Sequence, residues 1–221
     1  MRKRLTRVEQ TERNRERVLA AARDVFLTRG YAGATLDAIA DKAGFSKGVM
    51  YSQFWSKADL FLSLLAGRIA ERAAENERIV ENASGPEALI ELLRAAKHDA
   101  AVHSRWAELL IEFRIHAARD PEVKRRYAEA HERTLAGFAA ALTRILERTG
   151  HAPALPPKTM AQLVLALGSG IVLERITDLE ALPLDEIAPA LLRAFGFRQS
   201  TTPDRSRPAP TPLRRAGNGR K

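Results

Sequence analysis

Residues 35–57 read TLDAIADKAGFSKGVMYSQFWSK, and the reading of this stretch decides the fold. Thr35 suits the N-cap of a short helix whose inward side is Leu36, Ile39, Ala40 and Ala43. Gly44 ends that helix, because glycine accepts the left-handed C-cap conformation at little cost. Ser46 can cap a second helix that runs through Tyr51. Two short helices joined by a turn of roughly three or four residues containing glycine make a helix-turn-helix. Ala40 is small enough for the second helix to cross close by, and Phe45, Val49 and Phe54 are expected to fill the space beneath, against Val25 and Phe26.

Working outward, Val18, Leu19, Ala22, Val25 and Phe26 recur at the spacing of one helix face, which predicts a helix from about Thr11 to Arg29, ended by Gly30. Ser56-Lys57-Ala58-Asp59 has the form of a capping box and opens a long fourth helix. Ser84-Gly85-Pro86-Glu87 and Asp120-Pro121-Glu122 each place a proline in a first helical turn. Further helices are predicted over about 100–119, 122–150, 158–179 and 185–195, with HAPALPP from His151 as a loop. No sustained apolar–polar alternation occurs, and no Asn-Gly or Asp-Gly pair joins two such runs as a hairpin turn. The expected fold is all-α: an N-terminal three-helix helix-turn-helix domain followed by a larger helical domain.

Composition narrows the function. The chain has 221 residues, 45% of them hydrophobic, and no cysteine, so disulfides, thiolate metal sites and cysteine nucleophiles are excluded. The first residues lack the apolar run of a targeting signal, and Met160–Glu174 is too short to span a bilayer, so a soluble cytoplasmic protein without a membrane partner is expected. The net charge of +9 divides into +5 over residues 1–60, −2 over 61–197 and +6 over 198–221. Basic ends suit a polyanion, and equally a solubilising tail. The five histidines form no metal pattern, Gly168-Ser169-Gly170 is not a dinucleotide fingerprint, and no nucleophile elbow or phosphate-binding loop is present. Neither catalysis nor a cofactor is expected.

The surface of the second short helix points to DNA. Ser46, Lys47 and Gly48 lie at its N-terminus, where free N–H groups and the positive dipole end attract phosphate. Gly48 costs a helix about 1 kcal/mol relative to alanine, which implies a close approach by something else. Tyr51, Thr35 and Lys57 offer further phosphate donors, which set register without reading sequence. Base reading falls to Lys47, Gly48, Gln53 and Ser46, since lysine reaches guanine acceptors and glutamine pairs with adenine. Each residue alone also fits an ordinary core or solvated role. Their concentration within one short stretch favours DNA.

The segments ERVLAAARDVFLTRGYAGATL and IADKAGFSKGVMYSQFWSKADLF resemble, in order and spacing, the DNA-binding domain of the tetracycline-repressor (TetR) family of bacterial regulators. Gln53 and Val49 depart from the residues common there, histidine and a small or hydroxyl residue. The resemblance implies a homodimer on a near-palindromic double-stranded DNA operator, with a regulatory domain that binds a small-molecule effector. The expected division is a basic arm at 1–10, the helix-turn-helix DNA-binding domain at 11–57, a helical regulatory and dimerisation domain at 58–197, and a basic proline-rich disordered tail at 198–221. The expected function is a repressor released by its ligand. A nonspecific architectural DNA protein and an activator are the alternatives.

Within the regulatory region, Val102, Trp106, Leu109, Leu110, Phe113 and Ala117 form one apolar stripe, with Ile111 and Ile115 nearly opposite, which predicts a helix covered on two sides. The polar row Arg105, Glu108, Glu112 and His116 runs between them, so these residues with Trp106 and Phe113 are the candidate pocket for the unidentified effector. A solvated edge held by ion pairs is the competing reading. Leu163, Leu167, Gly170, Ile171 and Glu174 on one helix, and Leu191, Leu192 and Phe195 on the last, are the candidate dimer interface, against the alternative that they close the monomer core.

Overall fold

The first helix opens on a capping box: the Thr6 hydroxyl accepts the Glu9 N–H at 3.2 Å and the Glu9 carboxylate accepts the Thr6 N–H at 2.6 Å. The protein, a computed structural model, is described over residues 6–95, 100–149 and 152–197. The arm residues before Thr6 and the tail from 198 lie outside these, and so do His98 and His151. Helix α1 (Arg7–Gly33) begins four residues before the expected Thr11, so the second half of the expected arm is helical. The chain breaks at Gly30, whose φ of 69° and ψ of 175° fall in a region essentially reserved for glycine.

The helix-turn-helix forms as its punctuation dictates. The Thr35 hydroxyl caps α2 (Leu36–Ala43) by accepting the Ala38 N–H, and Gly44 ends it in the left-handed conformation at φ 71°. Ser46 caps α3 (Lys47–Gln53) through the Val49 N–H, and Ser56 caps α4 (Lys57–Asn82) through the Asp59 N–H. Phe54 is fully buried and Phe45 half-buried, as expected, but Val49 does not fill the space beneath. Met50 does, with no exposed surface. It lies four residues before Phe54, one helical turn away on the same face.

The rest of the chain is α5 (Gly85–Ala95), α6 (Ala100–Ala117), α7 (Pro121–Thr149), α8 (Pro157–Arg175) and α9 (Leu184–Ala194). Asp120 caps α7 through the N–H groups of Glu122 and Val123. Helix α8 stops four residues short of the expected 179, where Arg175 turns back and donates to the Ala181 and Leu182 carbonyls at 2.9 and 3.0 Å. No helix among the described residues is long and apolar enough to cross a membrane.

Two hydrophobic cores result. The first joins α1–α4 to Leu109, Phe113 and Ala117 of α6 and Ala130 of α7. Its centre is aromatic: Phe61 stacks on Phe113 at 4.2 Å, and Tyr31 meets Phe26, Phe61 and Phe113 at 5.0–5.8 Å. Offset and edge-on ring pairs of this kind stabilise beyond the area they bury. The second core packs α5, α7, α8 and α9 around Leu89, Leu92, Leu142, Met160 and Phe195. The apolar stripe of α6 thus faces the N-terminal helices. The expected second covered side is absent at Ile115, which is 55% exposed.

Candidate nucleic-acid interface

Helix α3 presents an exposed polar end. Ser46, Lys47 and Gly48 are all exposed at its N-terminus. The Ser46 and Thr35 hydroxyls each accept a backbone N–H through a lone pair, which leaves their O–H hydrogens free to donate to a phosphate. A Cβ built on Gly48 would meet only the Ser46 Oγ, at 3.9 Å. No described residue requires glycine there. Tyr51 stands one turn on, with over half of its surface exposed.

The Lys47 ammonium pairs with Asp37 at 2.7 Å, both side chains being about half exposed or more. That hydrogen bond and the Asp37 charge raise the lysine above its ordinary value, so it stays cationic. Trp55, absent from the sequence-based candidates, is 90% exposed at the junction of α3 and α4. A tryptophan so open to water is unusual, and it lies one residue past the buried Phe54. The signal was present in the Phe54-Trp55 pair, because adjacent residues at a helix end cannot both point inward.

Two of the expected DNA contacts, Lys57 and Gln53, are half-buried, and Lys57 is engaged within the chain. The Lys57 ammonium donates to the carbonyls of Tyr31, Ala32 and Ala34 at 2.7, 3.4 and 3.0 Å, which occupies its three hydrogens, and it stands 4.5 Å over the Tyr31 ring. Burial holds its pKa below the ordinary value, with the Glu112 charge opposing. Lys57 therefore pins the α1–α2 connection from below. The Gln53 Oε1 is buried, so the face that would pair with adenine is only partly available.

The expected effector row does not converge on one cavity. Arg105, Glu108, Glu112 and His116 are exposed and Phe113 is buried in the first core, while Trp106 borders a cavity of about 300 Å³ between α1 and α4. Periodicity located this face correctly but not its neighbour, which is α1. Glu112 reaches across to accept the N–H groups of Tyr31 and Ala32 at 2.8 and 3.3 Å, directly after the Gly30 break. His116 lies on the Tyr31 ring at 4.8 Å. Glu112 from one side and Lys57 from the other thus grip the same short connection, one by its N–H groups and one by its carbonyls. Asp59 and Arg126 add a 2.6 Å ion pair between α4 and α7.

A second cavity of about 200 Å³ lies between α6, α7 and α8, lined by Arg114, His131, Leu135, Gln162, Leu165, Ala166 and Ser169. Arg114 projects from the side of α6 opposite the polar row, at an angle of about 200° from Glu112 at 100° per residue, and so escaped the sequence reading. Of the expected dimer residues, Leu192 and Phe195 are buried in the second core instead. Leu163 and Glu174 are exposed, and Leu167, Gly170, Ile171 and Leu191 are half-buried. A Cβ on Gly168 or Gly170 would meet nothing within 4 Å. Leu173, Ile176 and Leu179 extend the exposed apolar surface past the end of α8.

Comparison with known proteins bears on family and fold. Residues 18–64 match the family described as bacterial regulatory proteins, tetR family, and residues 86–195 match that described as the C-terminal part of BetI-type transcriptional repressors. The HTH-type transcriptional repressor AcnR of Corynebacterium diphtheriae is 32% identical over 124 residues, 55% of this chain and 58% of its own length. Matches to curated relatives of this kind span as little as 26% of the relative. Among solved structures, a TetR-family transcriptional regulator from Mesorhizobium loti superposes with a TM-score of 0.66 at 24% identity, covering 87% of this chain and all of the other. A transcriptional regulator from Saccharomonospora viridis in complex with choline superposes with the same score at 18% identity, covering 82% and 95%. The chain belongs to the TetR family of helix-turn-helix transcriptional regulators.

Proposed function

We propose that the chain acts as a cytoplasmic homodimeric repressor that binds a near-palindromic operator and leaves it when a small molecule enters the regulatory domain. The observation that carries this reading is the grip of Glu112 and Lys57 on the connection between α1 and α2. That connection sets where α2 and α3 sit, and α6, which supplies Glu112, also borders the cavity at Arg114. A ligand that favours another position of α6 therefore favours another placement of α3. It shifts the balance only as far as its affinities for the two arrangements differ.

In this reading Ser46, Thr35, Tyr51 and Trp55 hold the sugar-phosphate backbone, and Lys47, with Gly48 allowing close approach, reads bases in the major groove. The outward side of α8 pairs across a two-fold axis, where Gly168 and Gly170 let backbones approach and Leu163, Leu167 and Ile171 bury against their copies. The pair would present two α3 helices about 34–36 Å apart, or a multiple of it.

The test is titration against a labelled duplex from the gene's own upstream region at two salt concentrations, with a scrambled duplex and Tyr51→Ala as controls. Tight binding to the native duplex alone, lost in the variant, supports the proposal. Equal binding to both duplexes, falling steeply with salt, would replace it with a nonspecific DNA protein.

A further inference from the structure

The cavity between α6, α7 and α8 carries an arginine that no carboxylate among the described residues neutralises. Arg114 is half-buried, and its guanidinium donates to the Tyr127 hydroxyl at 2.5 Å and the Ser169 hydroxyl at 3.0 Å. Both partners are neutral. Ser169 in turn donates to the Leu165 carbonyl at 2.9 Å, so its orientation is fixed by its own helix. A half-buried cation met only by neutral acceptors keeps N–H groups and charge that an anionic ligand can engage.

The rest of the lining agrees. His131 is half-buried, stacks on Tyr127 at 6.1 Å and is held below its ordinary pKa by burial, then by the Arg114 charge. A neutral imidazole and the Gln162 amide beside the guanidinium provide hydrogen-bond partners without negative charge. Leu135, Leu165 and Ala166 make the remaining wall apolar. The carboxylates next in sequence are engaged elsewhere: Glu132 holds Lys158 at 2.5 Å, and Glu112 holds the α1–α2 connection. At about 200 Å³ the space lies below the roughly 300–1,000 Å³ of sites for drug-sized ligands, which restricts it to a smaller molecule.

We infer that the effector cavity takes a small organic carboxylate with an apolar body, its anionic end on Arg114 and its body against Leu135, Leu165 and Ala166. This rests on the reading of the protein as a ligand-responsive regulator. A quaternary ammonium such as choline would meet an uncompensated guanidinium here.

Isothermal titration of the full-length protein with benzoate, hexanoate, benzamide, sulfate and choline tests the inference. Benzoate or hexanoate should bind at least about tenfold more tightly than the others, because the charge-assisted bidentate bond and the apolar wall act together. Arg114→Gln should weaken carboxylate binding by about tenfold or more, and Arg114→Lys by less. Ser169→Ala, which removes a neutral partner of the arginine and keeps the charge, serves if the arginine variants melt early, and a severalfold loss is expected. Equal binding of choline or benzamide, no binding of either carboxylate, or carboxylate affinity indifferent to Arg114 and Ser169 would overturn it. Sulfate binding as tight as benzoate would overturn the apolar part. Operator release, measured separately, distinguishes the two claims. Carboxylate that binds through Arg114 without releasing DNA refutes the regulatory reading and keeps the site. Release by choline and not by carboxylate does the reverse.

Discussion

Replacing Gly30 with alanine strikes the junction where α6 meets the DNA-binding helices, and its cost can be worked out in two parts. The first is backbone strain: φ 69° with ψ 175° is almost closed to residues with a Cβ, at about 1–3 kcal/mol, offset by about 0.4–1 kcal/mol from the stiffer unfolded chain. The second is a collision. The new Cβ would stand 2.7 Å from the Glu112 Oε1 and 2.9 Å from its Oε2, so the carboxylate must leave the Tyr31 and Ala32 N–H groups. Charge-assisted bonds at a solvent-exposed carboxylate are worth about 1–2 kcal/mol together. The total is about 2–4 kcal/mol, which lowers Tm by roughly 5–15 °C for a chain of this size.

Thermal and urea unfolding followed by far-UV circular dichroism, run on Gly30→Ala, Glu112→Ala and the double variant, separates the parts. Glu112→Ala alone should cost about 1–2 kcal/mol. In that background Gly30→Ala should lose its collision and keep only the strain, so the two changes should fall short of additivity by about 1 kcal/mol or more. Strict additivity would refute the argument, because it would mean that the carboxylate does not occupy the space that the Cβ needs.

Other outcomes follow from the same geometry. Met50→Ala should destabilise by about 2–5 kcal/mol and Val49→Ala by less than about 1 kcal/mol in denaturant melts, since only Met50 is buried. Tyr51→Phe should weaken operator binding about tenfold per half-site, equally for all operator variants in a gel-shift series, whereas Lys47→Ala should alter the ranking among them. Leu167→Glu should give a monomer by sedimentation and lose operator binding, because an isolated α3 spans one half-site. The folded state binds a proton at His131 less readily than the unfolded chain, so stability should fall as pH drops through about 6.5. His131→Gln should flatten that fall in pH-dependent melts.

Helix number, the helix-turn-helix and most helix ends were legible because each is written locally. Thr35, Ser46, Ser56 and Asp120 cap within three residues of themselves, and Gly44 closes its helix by a local left-handed turn. What stayed hidden is set by neighbours distant in sequence. Lys57 looks like a free cation until the three carbonyls of residues 31–34 are placed over it. The polar row of α6 looks like a pocket wall until Glu112 and His116 are seen to reach α1 while the row stays exposed, and Arg114 matters only because α7 and α8 close over the other side. Leu192 and Phe195 carry the same apolar signal as Leu163, and only packing tells inner from outer.

The first core has a consequence for synthesis. The rings of Tyr31 and Phe61 rest on Phe113, and Leu109, Ala117 and Ala130 complete the same cluster. These residues are translated well after Lys57, and domains ordinarily consolidate as their own chains emerge from the ribosome. Here the part of the core around Tyr31 and Phe61 is completed only once α6 and the first half of α7 are present. A fragment ending before α6 should therefore unfold at a lower temperature than the full chain.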